Sequence, residues 1–256
     1  MEQPRKRIGL ALNGGGARGA GHVGVLDVLD RENIPVDFIA GASAGSVVGA
    51  AYAAGIRGQR LVDMTLQTRW RHSIRLTWPR DGLVSLAPLE KRLIKIMGDL
   101  TFADLHIPFA AVTTDMATGE QVVLRHGRVA PAVRASCSVP GVMTPLELDG
   151  RLLADGGVVN NLPISVVRDM GADLVIAVSL FKPQGKRPRG FSGMLGATVD
   201  YLLLHAGDDP STADLCITLP MAGLGSIVRS SGAKRWMALG RQMAEQALPS
   251  IRALLA

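Results

Sequence analysis

Three times along the chain a short apolar run gives way to a glycine-rich corner. Ile8–Leu12 runs into Asn13-Gly14-Gly15-Gly16, residues 38–40 into Gly41-Ala42-Ser43-Ala44-Gly45, and Leu152-Leu153-Ala154 into Asp155-Gly156-Gly157. After the first corner Val23, Val25, Leu26 and Leu29 recur at helical spacing, with Asp27, Asp30 and Arg31 on the opposite side. After the second comes an alanine-rich helix over 44–54, stopped by Gly55. Strand-to-helix switching of this kind builds a mostly parallel sheet with helices on both faces. Ligands in such sheets lie beyond the carboxyl ends of the strands, where the corners are.

The same reading places further strands at 108–114, 121–124, 173–180 and 215–219, and a hairpin over 146–153 turned by Asp149-Gly150. Helices are expected over 87–97, 163–170, 194–205 and 234–246. The expectation is one α/β domain spanning 1–256. Its motifs lie in 8–178, and 179–256 completes the sheet and helical layer.

With 47% hydrophobic and 20% charged residues in 256, the chain can bury a core, and intrinsic disorder is excluded. Cys137 and Cys216 are the only cysteines. They are too few for a disulfide scaffold and are expected to be small buried hydrophobes in a reducing compartment. The five histidines and two cysteines lack ligand spacing, so no metal or other cofactor is expected. The net charge of +6 leaves nucleic acid and anionic membranes open as partners. No helix-turn-helix, zinc-finger or RNA-recognition signature accompanies the basic residues, which argues against nucleic acid. The uncharged stretch 38–56 is long enough to suggest a membrane span, but Gly41, Gly45, Gly49 and Gly55 fit strand, turn and short helix better. A secretory segment is not expected either, because Asn13, Arg18 and His22 break the apolar run behind Arg5-Lys6-Arg7. The expected location is cytoplasmic, with peripheral contact at a membrane. Oligomeric state is not readable.

The first corner, Gly14-Gly15-Gly16-Ala17-Arg18-Gly19, fits G-x-G-x-x-G. A dinucleotide site would need an acidic residue at the far end of the second strand, where Ala40-Gly41-Ala42-Ser43 stands instead. A phosphate loop would need Gly-Lys-Ser/Thr, which is absent. What remains is a cluster of backbone N–H groups at a helix start, suited to negative charge. The second corner is a G-x-S-x-G between strand and helix, the pattern of a nucleophile elbow, with Ser43 at the helix N-terminus. A nucleophilic serine needs a base. His205 is the only histidine beyond Asp155, so a Ser43–Asp155–His205 triad is formally open. Against it, His205 ends an amphipathic stretch, and the elbow comes early for that kind of sheet. Asp155 alone can serve if burial raises its pKa, although read by itself Asp155-Gly156 fits an ordinary turn between strands better.

Together these corners resemble the patatin-like phospholipases, most of all the bacterial branch related to neuropathy target esterase. Ala135-Ser136-Cys137-Ser138-Val139-Pro140 and Val158-Val159-Asn160-Asn161-Leu162-Pro163 are similar to further blocks of that family. Met143 departs from it, standing where an aromatic residue is frequent. The resemblance implies a Ser43–Asp155 dyad without histidine that hydrolyses an acyl ester of a lipid. It implies an oxyanion hole from the amides of Gly14, Gly15, Gly16 and Ala17, with Arg18 orienting that loop or meeting a lipid phosphate. A catalytically idle lipid-binding or regulatory protein is the rival, and a binder has no need to keep Ser43 and Asp155. Residues 61–80, with Arg69, Trp70, Arg71, Arg75 and Trp78, are expected to act as an interfacial lid or as an arginine-rich surface helix.

Overall fold

The computed structural model describes residues 5–67, 73–78, 80–181, 187–221 and 230–255. Strands β1 (Ile8–Leu12), β2 (Phe38–Ala42), β5 (Phe109–Asp115) and β9 (Leu174–Ser179) are almost wholly buried. That is why they read as continuous apolar runs: a parallel sheet is covered on both faces. With β10 (Leu215–Thr218) they form the parallel order β10-β9-β1-β2-β5. The hairpin of β7 (Leu146–Leu148) and β8 (Arg151–Asp155) and strand β6 (Gln121–Leu124) add antiparallel pairs beyond β5. Asp149 and Gly150 both have positive φ, as the two-residue turn requires.

The register at β5 positions the site. Residues 109–112 of β5 pair with β2, and residues 113–115 pair with β8 in the opposite direction. β6 lies alongside Ala111 to Thr114, overlapping both, so it must occupy the other edge. β2 and β8 therefore share one edge of β5 end to end, and they run out toward each other between Val112 and Thr113.

Helices α1 (Ala20–Arg31), α2 (Ala44–Ala53), α3 (Gly58–Gln67), α4 (Ala87–Met97), α5 (Val129–Ser136) and α8 (Ala233–Leu255) bury one core with one face of the sheet. Helix α6 (Ile164–Asp169) closes a smaller core on the opposite face, against Ala11, Ala40, Val112 and Ala177. Helix α7 (Gly190–His205) and the short hairpin of β3 (Arg75–Leu76) and β4 (Val84–Ser85) complete the described elements.

Several elements differ from the sequence reading. Helix α5 was not expected. Its one local signal is Pro131 in the first turn, where a proline lacks no needed hydrogen bond. Helix α8 continues past 246 to Leu255 despite Pro249 inside it. Burial of Ile251, the Lys6 ammonium on the Leu254 carbonyl (2.9 Å) and the Arg252–Glu32 ion pair hold the far end. A surface helix through residue 80 does not form, because α3 ends at Gln67 and Arg75 opens a strand. Arg69, Trp70 and Arg71 fall outside the described residues.

Helices α1 and α8 cross almost backbone to backbone. A Cβ added to Gly24 would sit 2.0 Å from the Met237 carbonyl oxygen, and one on Gly240 would sit 2.1 Å from that of Gly21. Gly24→Ala should therefore force the helices apart and lower the unfolding free energy by about 1–3 kcal/mol. Urea denaturation measures this, and an unchanged midpoint would mean the crossing is looser than described.

Candidate active site

Ser43 is the single residue between β2 and α2, and its backbone sits at φ 50°, ψ −120°. That conformation costs a side-chain-bearing residue about 1–3 kcal/mol and persists only when neighbours fix it. Here they do. The Ser43 carbonyl accepts hydrogen bonds from the Ser46 amide (2.9 Å), the Ser46 hydroxyl (2.6 Å) and the Cys137 thiol (3.3 Å). The Ser43 amide donates to the Ser136 hydroxyl (3.0 Å), which itself donates to the Val112 carbonyl (2.7 Å). The end of α5 thus ties the elbow to the middle of β5. Gly45 is required by close approach, since a Cβ there would lie 2.1 Å from the Leu12 carbonyl oxygen.

Asp155 ends β8 opposite Thr113, next to where β2 stops. Its amide donates to the Ser138 carbonyl (2.9 Å), and its carbonyl accepts from the Thr114 hydroxyl (2.8 Å). The carboxylate accepts a hydrogen bond from the Gly157 amide (2.8 Å), and the Ser43 hydroxyl, a second donor, lies close enough to favour its ionised form. Burial raises its pKa from 3.8 to about 6, against the lowering effect of those two donors.

The first glycine corner leans on the same serine. A Cβ on Gly14 would come within 3.0 Å of the Ser43 Cβ. The Gly14 amide is already committed to Asn161, through its side-chain oxygen (3.0 Å) and its carbonyl (3.3 Å). Gly16 has φ 59°, which favours glycine, and a single 3-10 turn follows it. The amides of Gly15, Gly16 and Ala17 meet no acceptor among the described residues. Arg18 is fully buried: its Nε donates to the Gly15 carbonyl (3.3 Å) and its Nη2 to Asp200 on α7 (2.8 Å). That arrangement orients the loop and keeps the guanidinium away from the surface.

Four further residues hold the corner, and sequence reasoning had given none of them a role. The Asn13 side-chain oxygen accepts from the Leu180 amide (3.0 Å), and the Asn13 carbonyl accepts from His22 Nε2 (2.8 Å). Burial holds His22 neutral, its pKa lowered to about 4. Asn161 donates to the Leu203 carbonyl (2.9 Å), and Asp200 pairs Arg18. Only the block around Asn160-Asn161 carried a sequence signal, through family resemblance. His205 ends α7 in an exposed position. An apolar cavity of about 70 Å³ opens beside the corner, lined by Gly16, Ala17, Ala44, Val48, Met64 and Leu89 among others.

A strand-end serine, a buried aspartate beside it and a loop of amides without acceptors among the described residues thus share one corner, and comparison with known proteins gives the chain its family. The patatin-like phospholipase profile matches residues 10–168, and the chain belongs to that family. An uncharacterised NTE family protein of Mycobacterium tuberculosis is 41% identical over 177 residues, covering 68% of this chain and 49% of that protein. Human patatin-like phospholipase domain-containing protein 6 is 37% identical over 185 residues, covering 68% of this chain and 13% of its own length. Neuropathy target esterase sws of Drosophila melanogaster is 36% identical with the same coverage. The chain thus spans about half the mycobacterial relative and a small part of the animal ones. Among solved structures, ExoU bound to SpcU from Pseudomonas aeruginosa superposes with a TM-score of 0.60 at 14% identity, over 99% of this chain and 53% of that one. VipD from Legionella pneumophila superposes at 0.56 and 14% identity, over 96% and 67%. These likenesses establish the fold.

Asp155 also sets a pH dependence of stability. Its folded pKa of about 6 lies above the ordinary 3.8, so the folded state holds the proton more tightly. Stability from this group is complete below pH 3.8 and is lost as pH rises through 6, a swing of about 3 kcal/mol at most. Asp155→Asn should accordingly be more stable than the parent by about 1–3 kcal/mol at pH 8, with the gain vanishing near pH 4. Denaturant titrations across that range test it; a gain independent of pH would show that desolvation of the carboxylate is not its source.

Proposed function

We propose that the chain is a serine acyl-ester hydrolase acting on phospholipid, lysophospholipid or a related lipid ester, with Ser43 and Asp155 as a dyad. The observation that carries the reading is the placement of the strained Ser43 directly after β2 and of the buried Asp155 at the end of β8, at adjoining positions along β5, with the Ser43 side chain near enough to influence the carboxylate. Ser43 Oγ attacks the ester carbonyl carbon while Asp155 takes its proton. The carbonyl oxygen becomes an oxyanion, for which Gly15, Gly16 and Ala17 offer amides; Gly14, engaged by Asn161, supports the loop instead. Asp155 returns the proton to the departing alcohol, leaving Ser43 acylated. Water, giving its proton to Asp155, then attacks the acyl carbon; the bond from that carbon to Ser43 Oγ breaks, the proton passes from Asp155 to Oγ, and the free acid leaves. A carboxylate with a pKa near 6 suits both halves, being ionised at neutral pH yet able to hold a proton briefly. The apolar cavity beside Gly16 and Ala44 would take the start of the acyl chain.

The reading includes one domain over 1–256, supported by the pairing of β10 with β9 and by α8 against α1. It also includes a cytoplasmic location with membrane contact through 61–80. The exposure of Leu76 and Trp78, 83% and 80%, supports that contact. Among the described residues no helix is long and apolar enough to cross a membrane.

A fluorophosphonate probe followed by peptide mass spectrometry should label Ser43, and Asp155→Asn should slow labelling and ester turnover by about 10²–10⁴-fold. kcat/KM should rise with pH through about 6 as Asp155 ionises. Activity should survive His205→Ala and EDTA. A folded protein that the probe leaves unmodified would overturn the dyad. For the lid, Trp78→Ala should reduce turnover on vesicles far more than on a soluble short-chain ester; equal losses would rule that role out.

A further inference from the structure

Helix α7 faces the wrong way for a helix in contact with water. Its one Asp, Glu, Lys or Arg is Asp200, and that residue is buried against Arg18. Facing outward are Phe191, Met194, Tyr201 and Leu202, exposed at 84%, 56%, 46% and 67%. Met194 follows Phe191 by three residues, and Tyr201 and Leu202 follow Met194 by seven and eight, which puts all four along one side of the helix. A surface helix ordinarily buries its apolar stripe and presents polar residues to solvent. A large apolar surface left exposed marks a place of contact. Directly before the helix stand Arg187 and Arg189, both exposed, and the exposed stripe itself carries no acidic residue.

We propose that α7 seats the chain on an anionic lipid bilayer. Phe191, Met194, Tyr201 and Leu202 enter the boundary between headgroups and acyl chains, and Arg187 and Arg189 meet lipid phosphates. Charge decides the occupant: an apolar stripe with a cationic end and no acidic member is complementary to a surface that is apolar within and anionic without. The inner side of the same helix holds the candidate site. Asp200 pairs with Arg18, whose guanidinium lies 5.8 Å from the Phe181 ring, and Asn161 bridges the Leu203 carbonyl to the Gly14 amide. Docking stands without the Ser43 chemistry; only its use, bringing an acyl ester to that serine, rests on the proposed function.

The test uses vesicles of non-hydrolysable diether phosphatidylcholine, alone or mixed equally with diether phosphatidylglycerol, so binding is read without turnover. The parent and Ser43→Ala should both bind the mixed vesicles at least about tenfold more tightly than the neutral ones. Phe191→Ser/Leu202→Ser should lose about tenfold or more of that affinity, and Arg187→Ala/Arg189→Ala should erase the preference for phosphatidylglycerol. Thermal denaturation checks that the variants fold. Should one fail, amide exchange of the unmodified chain replaces it, and slowing over 187–205 on adding mixed vesicles is the expected result. The proposal is overturned if the folded double serine variant binds like the parent, if the parent ignores phosphatidylglycerol, or if vesicles leave exchange over 187–205 unchanged. It is equally overturned if light scattering finds a dimer that Phe191→Ser/Leu202→Ser dissociates, since a second copy would then cover the helix.

Discussion

One edge of β5 carries two strands that run toward each other, and the candidate site exists because of it. β2 occupies the first half of that edge and ends at Ala42; β8 occupies the second half and ends at Asp155. Two residues far apart in sequence thus meet at the seam between two hydrogen-bond ladders. Their separation is set by backbone register, which is stiff, and not by long flexible side chains. The seam is tight: a Cβ on Gly156, just beyond Asp155, would fall 2.2 Å from the Val112 carbonyl oxygen. A loop-borne base would reach the same serine only with a much broader spread of geometries.

What surrounds the seam is costly structure held by many small bonds. Ser43 keeps a strained backbone, Asp155 gives up solvation, and Arg18 with Asp200 forms an ion pair with side chains only 2% and 4% exposed. A buried pair of that kind rarely adds net stability, but losing one partner strands the other charge. Its place in the fold suggests a geometric use instead, since it fastens α7 to the glycine corner and lets Arg18 hold the Gly15 carbonyl. Ser136 and Cys137 do the equivalent for the elbow. Stability is surrendered at the site and recovered in the alanine- and valine-rich layers on the two sheet faces.

The parallel sheet and the elbow were legible in the chain because local chemistry determines them, whereas a role for Asp155 beside Ser43 was readable only through the family resemblance. A strand that must turn sharply needs glycine, and a two-residue hairpin needs Asp149-Gly150. The supporting residues were not legible. Asn13, His22, Asn161 and Asp200 act through partners distant in sequence, and a polar residue among apolar ones gives no sign of which carbonyl it will meet. Helix α5 was missed because eight residues carry too little periodicity to declare a helix. The reach of α8 past Pro249 was missed for a different reason: tertiary contacts at Ile251 and Leu254 outweigh a local helix breaker. At Gly14 the pattern was right about the corner and incomplete about the amide, whose acceptor lies 147 residues away.

Cys137 gives the elbow a clock. Its thiol is buried, donates to the Ser43 carbonyl, and is pushed by burial well above the ordinary cysteine range, so in the closed protein it is neither exposed nor ionised. A thiol reagent can reach it only when the end of α5 parts from Ser43. Its rate of alkylation therefore counts how often that junction opens, as exchange of a protected amide does. Inactivation by such reagents would then report the breathing of the scaffold, and would say nothing about which atom attacks the ester.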